Sequence, residues 1–257
     1  MIQFCRLCST EIGGPIFTGL IFESTVKYFE CRICGYVQTE RPYWLEKAYS
    51  SVISNFDTGI MARNQSNVGL ILATLSVNNI MTGVVVDYAG GYGILVRLLR
   101  DRGIEALWSD PYAKNLVAVG FEHTTQRAEL VTAFEVFEHF TDPLLEANKL
   151  FAIAPNLLIS TILIDTPAPL PDRWWYYGLE HGQHVGFFRL QTLEFIAKKF
   201  NKYLVSDGVS CHMFTDKPVN SYAWKLKASI GRRLPFLFGR KLKSKTQSDF
   251  ARMSKTL

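Results

Sequence analysis

The 257-residue sequence contains no stretch of 18 apolar residues. The nearest approach, Val68 to Val86, is broken by Asn78, Asn79 and Gly83, so it reads as a helix followed by a strand and not as a membrane span. The start carries neither the basic nor the apolar segment of an export signal, which sets the expectation of a cytoplasmic protein. Internal repeats and low-complexity segments are absent. Cysteine is scarce: of five, four fall in two pairs near the start, and Cys211 reads as a buried apolar residue.

The two pairs are Cys5-Arg6-Leu7-Cys8 and Cys31-Arg32-Ile33-Cys34. A CxxC turn presents two thiolates to one ion, and the 22 residues between the pairs suffice for a hairpin that joins them. The spacing predicts a zinc ribbon over residues 1–42, with Cys5, Cys8, Cys31 and Cys34 holding Zn²⁺. Such a site has four protein ligands and no open position, so its metal is structural and the chemistry lies elsewhere.

Charge divides the remainder. Residues 221–257 hold ten Lys and Arg against one acid, Asp249, whereas the first 220 residues hold 18 basic and 22 acidic side chains. An acidic body makes nucleic acid the weaker expectation as a partner, since RNA binding asks for a basic face at the site. The basic segment mixes Lys and Arg with Trp224, Leu226, Ile230, Leu234, Phe236, Leu237, Phe238 and Leu242. It is expected to be an amphipathic tail that touches the inner membrane face, or else a poorly ordered terminus.

Between ribbon and tail, residues 43–220 alternate between strand and helix patterns. An aromatic, helical stretch carries Tyr43, Trp44, Tyr49, Phe56, Asp57 and Arg63, a candidate cap whose Tyr43, Trp44 and Arg63 are expected to touch substrate. A helix is expected over 62–75, a strand over 83–88 and a helix over 94–102. Strands are expected at 105–109, 130–134 and 157–163, and helices at 144–154 and 192–200. This is the pattern of an α/β fold with a doubly wound, mostly parallel sheet, expected to have seven strands.

Ligands bind such sheets beyond the C-terminal strand ends. The turn Asp87-Tyr88-Ala89-Gly90-Gly91-Tyr92-Gly93 lies there, and Asp110, 23 residues after Asp87, ends the second strand where it can accept from two ribose hydroxyls. The dinucleotide pattern G-x-G-x-x-G is not met, because Ile94, Leu95 and Val96 follow Gly93. The turn also lacks the lysine of a P-loop.

Asp87 to Gly93 resembles motif I of the class I S-adenosylmethionine-dependent methyltransferases, acid-x-Gly-x-Gly-x-Gly, with Ala89 at the first glycine. Leu130-Val131-Thr132-Ala133-Phe134-Glu135-Val136-Phe137-Glu138-His139-Phe140-Thr141-Asp142-Pro143 is similar to the later motif of that family, and Asp110-Pro111 to its ribose-binding position. The resemblance implies a Rossmann-like methyltransferase fold with S-adenosylmethionine as cofactor. It places Asp87, Ala89, Gly90, Gly91 and Gly93 about the methionine part, and Asp110 on the ribose. Pro111 and Tyr112 fall beside the adenine, and Phe134 and Glu135 near the methyl-donor end. Glu138-His139 reads as structural.

The acceptor side is expected in the loop Tyr176 to Phe188, behind Trp174 and Trp175. A hydroxyl acceptor needs a base, and histidine is the usual one. His184 is the first candidate, with Glu180 and His181 beside it and Tyr177 as a substrate contact. His184-Val-Gly-Phe-Phe resembles a stretch of small-molecule and sugar methyltransferases, including deoxysugar C-methyltransferases that also carry an N-terminal zinc domain; Gln183 stands where those have Glu. The reading is methylation of a sugar or glycan, free or linked to a nucleotide or lipid, with O-methylation first. Alternatives are RNA methylation, C-methylation of a nucleotide-linked deoxysugar, and a binding module without turnover.

Overall fold

The computed structural model describes residues 3–49 and 58–255. Phe56 and Asp57 of the expected cap lie outside the described residues. The chain opens with β1 (Gln3–Phe4), β2 (Glu11–Ile12), β3 (Phe17–Ile21), β4 (Ser24–Glu30) and β5 (Val37–Thr39), then α1 (Leu45–Ala48) and α2 (Ile60–Val77). There follow β6 (Val84–Tyr88), α3 (Ile94–Asp101), β7 (Glu105–Ser109), β8 (Leu130–Phe134), α4 (Pro143–Ile153) and β9 (Asn156–Ser160). The last elements are β10 (Gly186–Phe187), α5 (Leu190–Lys199), β11 (Tyr203–Ser206), β12 (Cys211–Thr215), α6 (Ser221–Arg233) and α7 (Thr246–Met253).

The main sheet has the order β11-β12-β9-β8-β6-β7. Its β6 runs parallel to both β7 and β8, with Asp87 opposite Trp108 and Thr132. Its strand count among the described residues is six, not the seven expected. Beyond β7 the chain makes a single bridge, Trp108 with Glu122, before turning away. Val85, Val86, Leu130, Val131, Leu157, Leu158 and Ile159 are all buried, as strands covered on both faces require.

The chain divides into two compact units. One comprises residues 1–51, 134–149 and 159–214. Here β10, β5, β4 and β3 form a four-stranded antiparallel sheet, so the expected ribbon is not a free-standing module: its sheet is extended by residues 186–187. Tyr177 packs edge to face on Tyr28 and on Phe187, with centroids 5.3 and 4.9 Å apart, giving this unit an aromatic core. Arg6 stitches the N-terminal turn to the later loop through a hydrogen bond from its guanidinium to the Val185 carbonyl.

The other unit comprises residues 52–133, 150–158 and 215–257. Its α2 packs most extensively on α6. The two backbones meet at glycine, where a Cβ on Gly69 would stand 2.0 Å from the Gly231 carbonyl oxygen. Trp224 is fully buried and its Nε1 donates to Thr74 Oγ1 at 3.0 Å. The alternative of a poorly ordered terminus is therefore corrected for α6: its largest apolar residue belongs to the core, while Tyr222, Leu226 and Phe250 stay outward. Burial of Trp224 outweighs the solvation of the basic residues around it, which need only the outer helix face. No helix among the described residues is long and apolar enough to cross a membrane.

The acid of that segment is a second anchor. Asp249 accepts from Arg100 at 2.7 and 2.8 Å and from Arg97 at 2.7 Å, and both Arg100 and Asp249 are buried. Removing one partner of a buried ion pair leaves an uncompensated charge. Asp249→Ala is therefore expected to lower unfolding stability by about 3 kcal/mol or more in urea titration. A loss under about 0.5 kcal/mol, the level of a surface substitution, would contradict the anchoring role.

Candidate active site

The turn after β6 is fixed by carboxylates at both ends. Asp87 is buried at the strand end and its Oδ1 accepts from Thr132 Oγ1 of β8 at 2.7 Å. Burial pushes its pKa up to about 7, the Thr132 hydrogen bond opposes this, and the charge of Asp110 adds to it. Asp110, at the end of β7, does not wait free for a ligand. Its Oδ2 accepts from the Gly91 amide at 2.9 Å and its Oδ1 from the amides of Tyr112 and Ala113, both at 2.8 Å. The indole of Trp108 donates to the Gly91 carbonyl at 2.8 Å.

The backbone bends through left-handed conformations at Ala89, Gly91 and Gly93, with φ of 55°, 54° and 88°. A Cβ on Gly90 would lie 2.8 Å from Asp87 Oδ2, so this position excludes any side chain. Ala89, by contrast, carries its methyl in a strained conformation, as residues at functional turns often do. Pro111 and Tyr112 are exposed beyond the strand end. Asp87, Ala89, Gly90, Gly91, Gly93, Asp110, Pro111 and Tyr112 are thus brought together within one unit. Arg63, on α2 of that same unit, is exposed.

In the other unit, Phe134 ends β8 and Glu135 follows with φ of 55°. The Glu135 carboxylate accepts from Ser160 Oγ, and its amide donates to the same oxygen at 2.9 Å. A 3₁₀ turn, Phe137–His139, then brings Glu138 and His139 onto one side. Glu138 is fully buried. Its Oε1 accepts from the Tyr176 hydroxyl at 2.7 Å, and its Oε2 has no hydrogen-bond partner. Burial and the neighbouring charge of Glu135 push its pKa up to about 8.

His184 stands against this turn, its ring 4.9 Å from that of His139 and 4.8 Å from that of His181. It is 8% exposed, and Nδ1 donates to the Tyr176 carbonyl at 2.6 Å, leaving Nε2 as the acceptor nitrogen. Desolvation lowers its pKa to about 4, so the ring is neutral near pH 7. His139 Nδ1 pairs with the Tyr49 hydroxyl at 2.9 Å.

Several sequence expectations change here. Trp44 is buried with its indole donating to Gly182 at 2.7 Å, and Tyr177 is buried with its hydroxyl donating to Pro169 at 2.8 Å. Both are core residues and not substrate walls, because each polar tip is already satisfied inside. Tyr43 stays exposed, edge-on to Trp44. Gln183 turns away to donate to the Ala48 carbonyl, so it forms no pair with His184. Glu180 is exposed, and His181 Nδ1 accepts from the Gln183 amide at 3.1 Å. Glu138, His139 and Tyr176 stand beside His184 in the same cluster. For Glu138 and His139 the legible signal is the spacing Glu135-x-x-Glu138-His139, which puts three titratable groups within five residues after a strand.

The Cys5 and Cys34 sulfurs lie 3.6 Å apart, and those of Cys8 and Cys31 3.4 Å. All four lie within 4.8 Å of one another and none forms a disulfide.

A doubly wound sheet with a glycine turn between a buried acid and a second-strand carboxylate defines a nucleotide-binding α/β domain of the Rossmann-like methyltransferase type. The family described as "Methyltransferase domain" matches residues 62–206, more than half of the chain, and the chain belongs to that family, within the class I S-adenosylmethionine-dependent methyltransferases. No curated protein matches it.

Similar solved structures include CalO1, a methyltransferase in calicheamicin biosynthesis, in its SAH-bound form; it is 14% identical with a TM-score of 0.43, over 59% of this chain and 54% of that one. Another is magnesium protoporphyrin IX methyltransferase from Synechocystis PCC 6803 with bound SAH, 16% identical with a TM-score of 0.44, over 66% and 90%. A third is 1,6-didemethyltoxoflavin-N1-methyltransferase from Burkholderia thailandensis, 12% identical with a TM-score of 0.48, over 79% and 97%. The chain spans about half the length of CalO1.

The Asp87 shift has a sign. An unfolded Asp releases its proton near pH 4, whereas the folded group keeps it to about pH 7. Its contribution to stability is complete below pH 4 and is lost as pH rises from about 4 to 7. Asp87→Asn is expected to abolish that loss, so the variant gains on the wild type across the window by up to roughly 4 kcal/mol. Urea midpoints at pH 5 and pH 7.5 check this; parallel curves for the two proteins would contradict it.

Proposed function

We propose that the chain transfers a methyl group from S-adenosylmethionine to a hydroxyl of a sugar or glycan, in cell-surface polysaccharide or nucleotide-sugar synthesis. The observation that carries this reading is the cluster of Glu135, Glu138, His139, Tyr176 and His184, which begins one residue after β8. Carboxylates and a tautomer-fixed imidazole suit an acceptor that must lose a proton, as a hydroxyl must.

The cofactor is assigned to the turn after β6, where Gly91 and Gly93 adopt the positive φ that lets the backbone turn sharply at the strand end. Asp87, Ala89, Gly90, Gly91 and Gly93 would hold its amino-acid part, and Asp110, Pro111 and Tyr112 its nucleoside. When bound it supplies a methyl group already activated on a sulfonium. Transfer would form one C–O bond and break one C–S bond with its electron pair left on sulfur, and the hydroxyl proton would pass to the Glu135 carboxylate. His184, neutral and with its tautomer fixed, helps to activate that hydroxyl. Trp175 and Tyr43, 74% and 66% exposed, offer the aromatic faces that sugars stack on.

The four thiols support a structural zinc. Around an ion with Zn–S bonds of about 2.3 Å, tetrahedral sulfurs stand about 3.8 Å apart, close to the observed 3.4–3.6 Å pairs. One zinc per chain is expected to survive dialysis against a chelator and to appear on titration of the thiols with a mercurial. Release that Cys31→Ser leaves unchanged would contradict the assignment.

Transfer of labelled methyl to nucleotide sugars, glycans and RNA, assayed in parallel, tests the function. Label is expected in a sugar arm, and His184→Ala is expected to cut kcat by about 10² or more. Label in RNA alone would overturn the reading.

A further inference from the structure

We propose that Glu138, His139 and His184 form a second metal site, for a divalent first-row cation, and that this cation binds the acceptor through its hydroxyl oxygens. The inference deepens the hydroxyl-transfer reading and rests on it for the identity of the acceptor; the cation site itself does not. One ligand atom from each of the three residues lies within 4.8 Å of the others, so a modest closure brings all three to coordination distance.

Three independent features point the cluster at a ligand. First, Glu138 Oε2 is fully buried and unpartnered, an arrangement that costs free energy unless something binds there. Second, His184 has Nδ1–H tied to the Tyr176 carbonyl, which fixes the tautomer and turns the Nε2 lone pair outward. Third, His139 Nδ1 is paired with the Tyr49 hydroxyl, and with Nδ1 as the donor of that bond Nε2 presents its lone pair. Tyr176 serves two ligands at once: its hydroxyl donates to Glu138 and its carbonyl accepts from His184. Outer hydrogen bonds of this kind are what orient metal-bound histidines and carboxylates.

Two imidazoles and one carboxylate suit Mn, Fe, Co, Ni or Zn and leave open positions. Adjacent hydroxyls of a sugar would fill two of them. Coordination lowers the pKa of a bound hydroxyl, as it does for water. The O–H bond of the acceptor then breaks with its electron pair retained on oxygen, and the proton passes to the exposed carboxylate of Glu135 and on to solvent. That carboxylate is within 3.4 Å of the Tyr176 hydroxyl, at the edge of the same cluster.

The test uses the full-length, zinc-loaded chain and Mn²⁺, which thiolate sites bind poorly. Loss of the free Mn²⁺ electron-paramagnetic signal is expected to saturate at one ion per chain. Glu138→Gln and His139→Ala are each expected to weaken binding tenfold or more, while Glu194→Gln, an exposed carboxylate on α5, leaves it unchanged. His139 is only half-buried, so its variant keeps the test open if Glu138→Gln fails to fold. No depletion of the free signal in an equimolar mixture, or binding that His139→Ala leaves intact, would overturn the site. Transfer to a sugar at full rate with the Mn²⁺ site emptied would sink the role of the cation and spare the methyltransferase reading. Bound Mn²⁺ without transfer to any hydroxyl would do the reverse.

Discussion

The bend between β6 and α3 is the constraint on which the nucleotide-binding unit depends. A chain that turns this sharply must satisfy its backbone amides without a regular element, and Asp110 accepts from the Gly91 amide of the bend while its other oxygen ties down the amides of Tyr112 and Ala113 in its own loop. Asp87 completes the arrangement from inside the sheet, where Thr132 on the neighbouring strand is its partner. A ligand ribose that engages Asp110 must compete with, or be added to, bonds the carboxylate already makes. The loop is therefore preorganised, and its own side chains hold the shape that a cofactor would need.

A second buried carboxylate sets the chemistry of the other unit. Glu138 has one oxygen committed to Tyr176 and one uncommitted. Around it stand His139 and His184, each with Nδ1 engaged by a protein partner, beside the one bare carboxylate oxygen. Such a set suits a cation or a reacting hydroxyl far better than it suits a packed core. The strained backbone at Glu135, just before, fits a segment shaped for function.

Much of this was legible in the residues. Strands 105–109 and 130–134 fall where the apolar runs put them, because buried parallel strands need nothing but continuous β-branched and apolar side chains. The glycine turn and Asp110 were readable for the same reason: few residues tolerate those positions. What was not legible depended on tertiary contacts. Trp44 and Tyr177 look like exposed aromatics until the 174–188 loop packs on the ribbon sheet and buries them. The run of lysines and arginines after residue 221 reads as a membrane-touching or poorly ordered segment because charge is visible in a sequence, whereas the Gly69–Gly231 contact and the Trp224–Thr74 bond are not. His184 is legible as a loop histidine, but its hydrogen-bond partner is not: it is the Tyr176 carbonyl, eight residues earlier, and neither Glu180 nor Gln183.

The central claim is that the bend after Asp87 and the carboxylate of Asp110 accept a sulfonium nucleoside. Titration calorimetry of the zinc-loaded protein with S-adenosylhomocysteine measures this most directly. The account predicts a saturable heat with one site per chain, abolished in Asp110→Ala. A flat titration with the wild-type protein, or binding that is indifferent to Asp110, would contradict it.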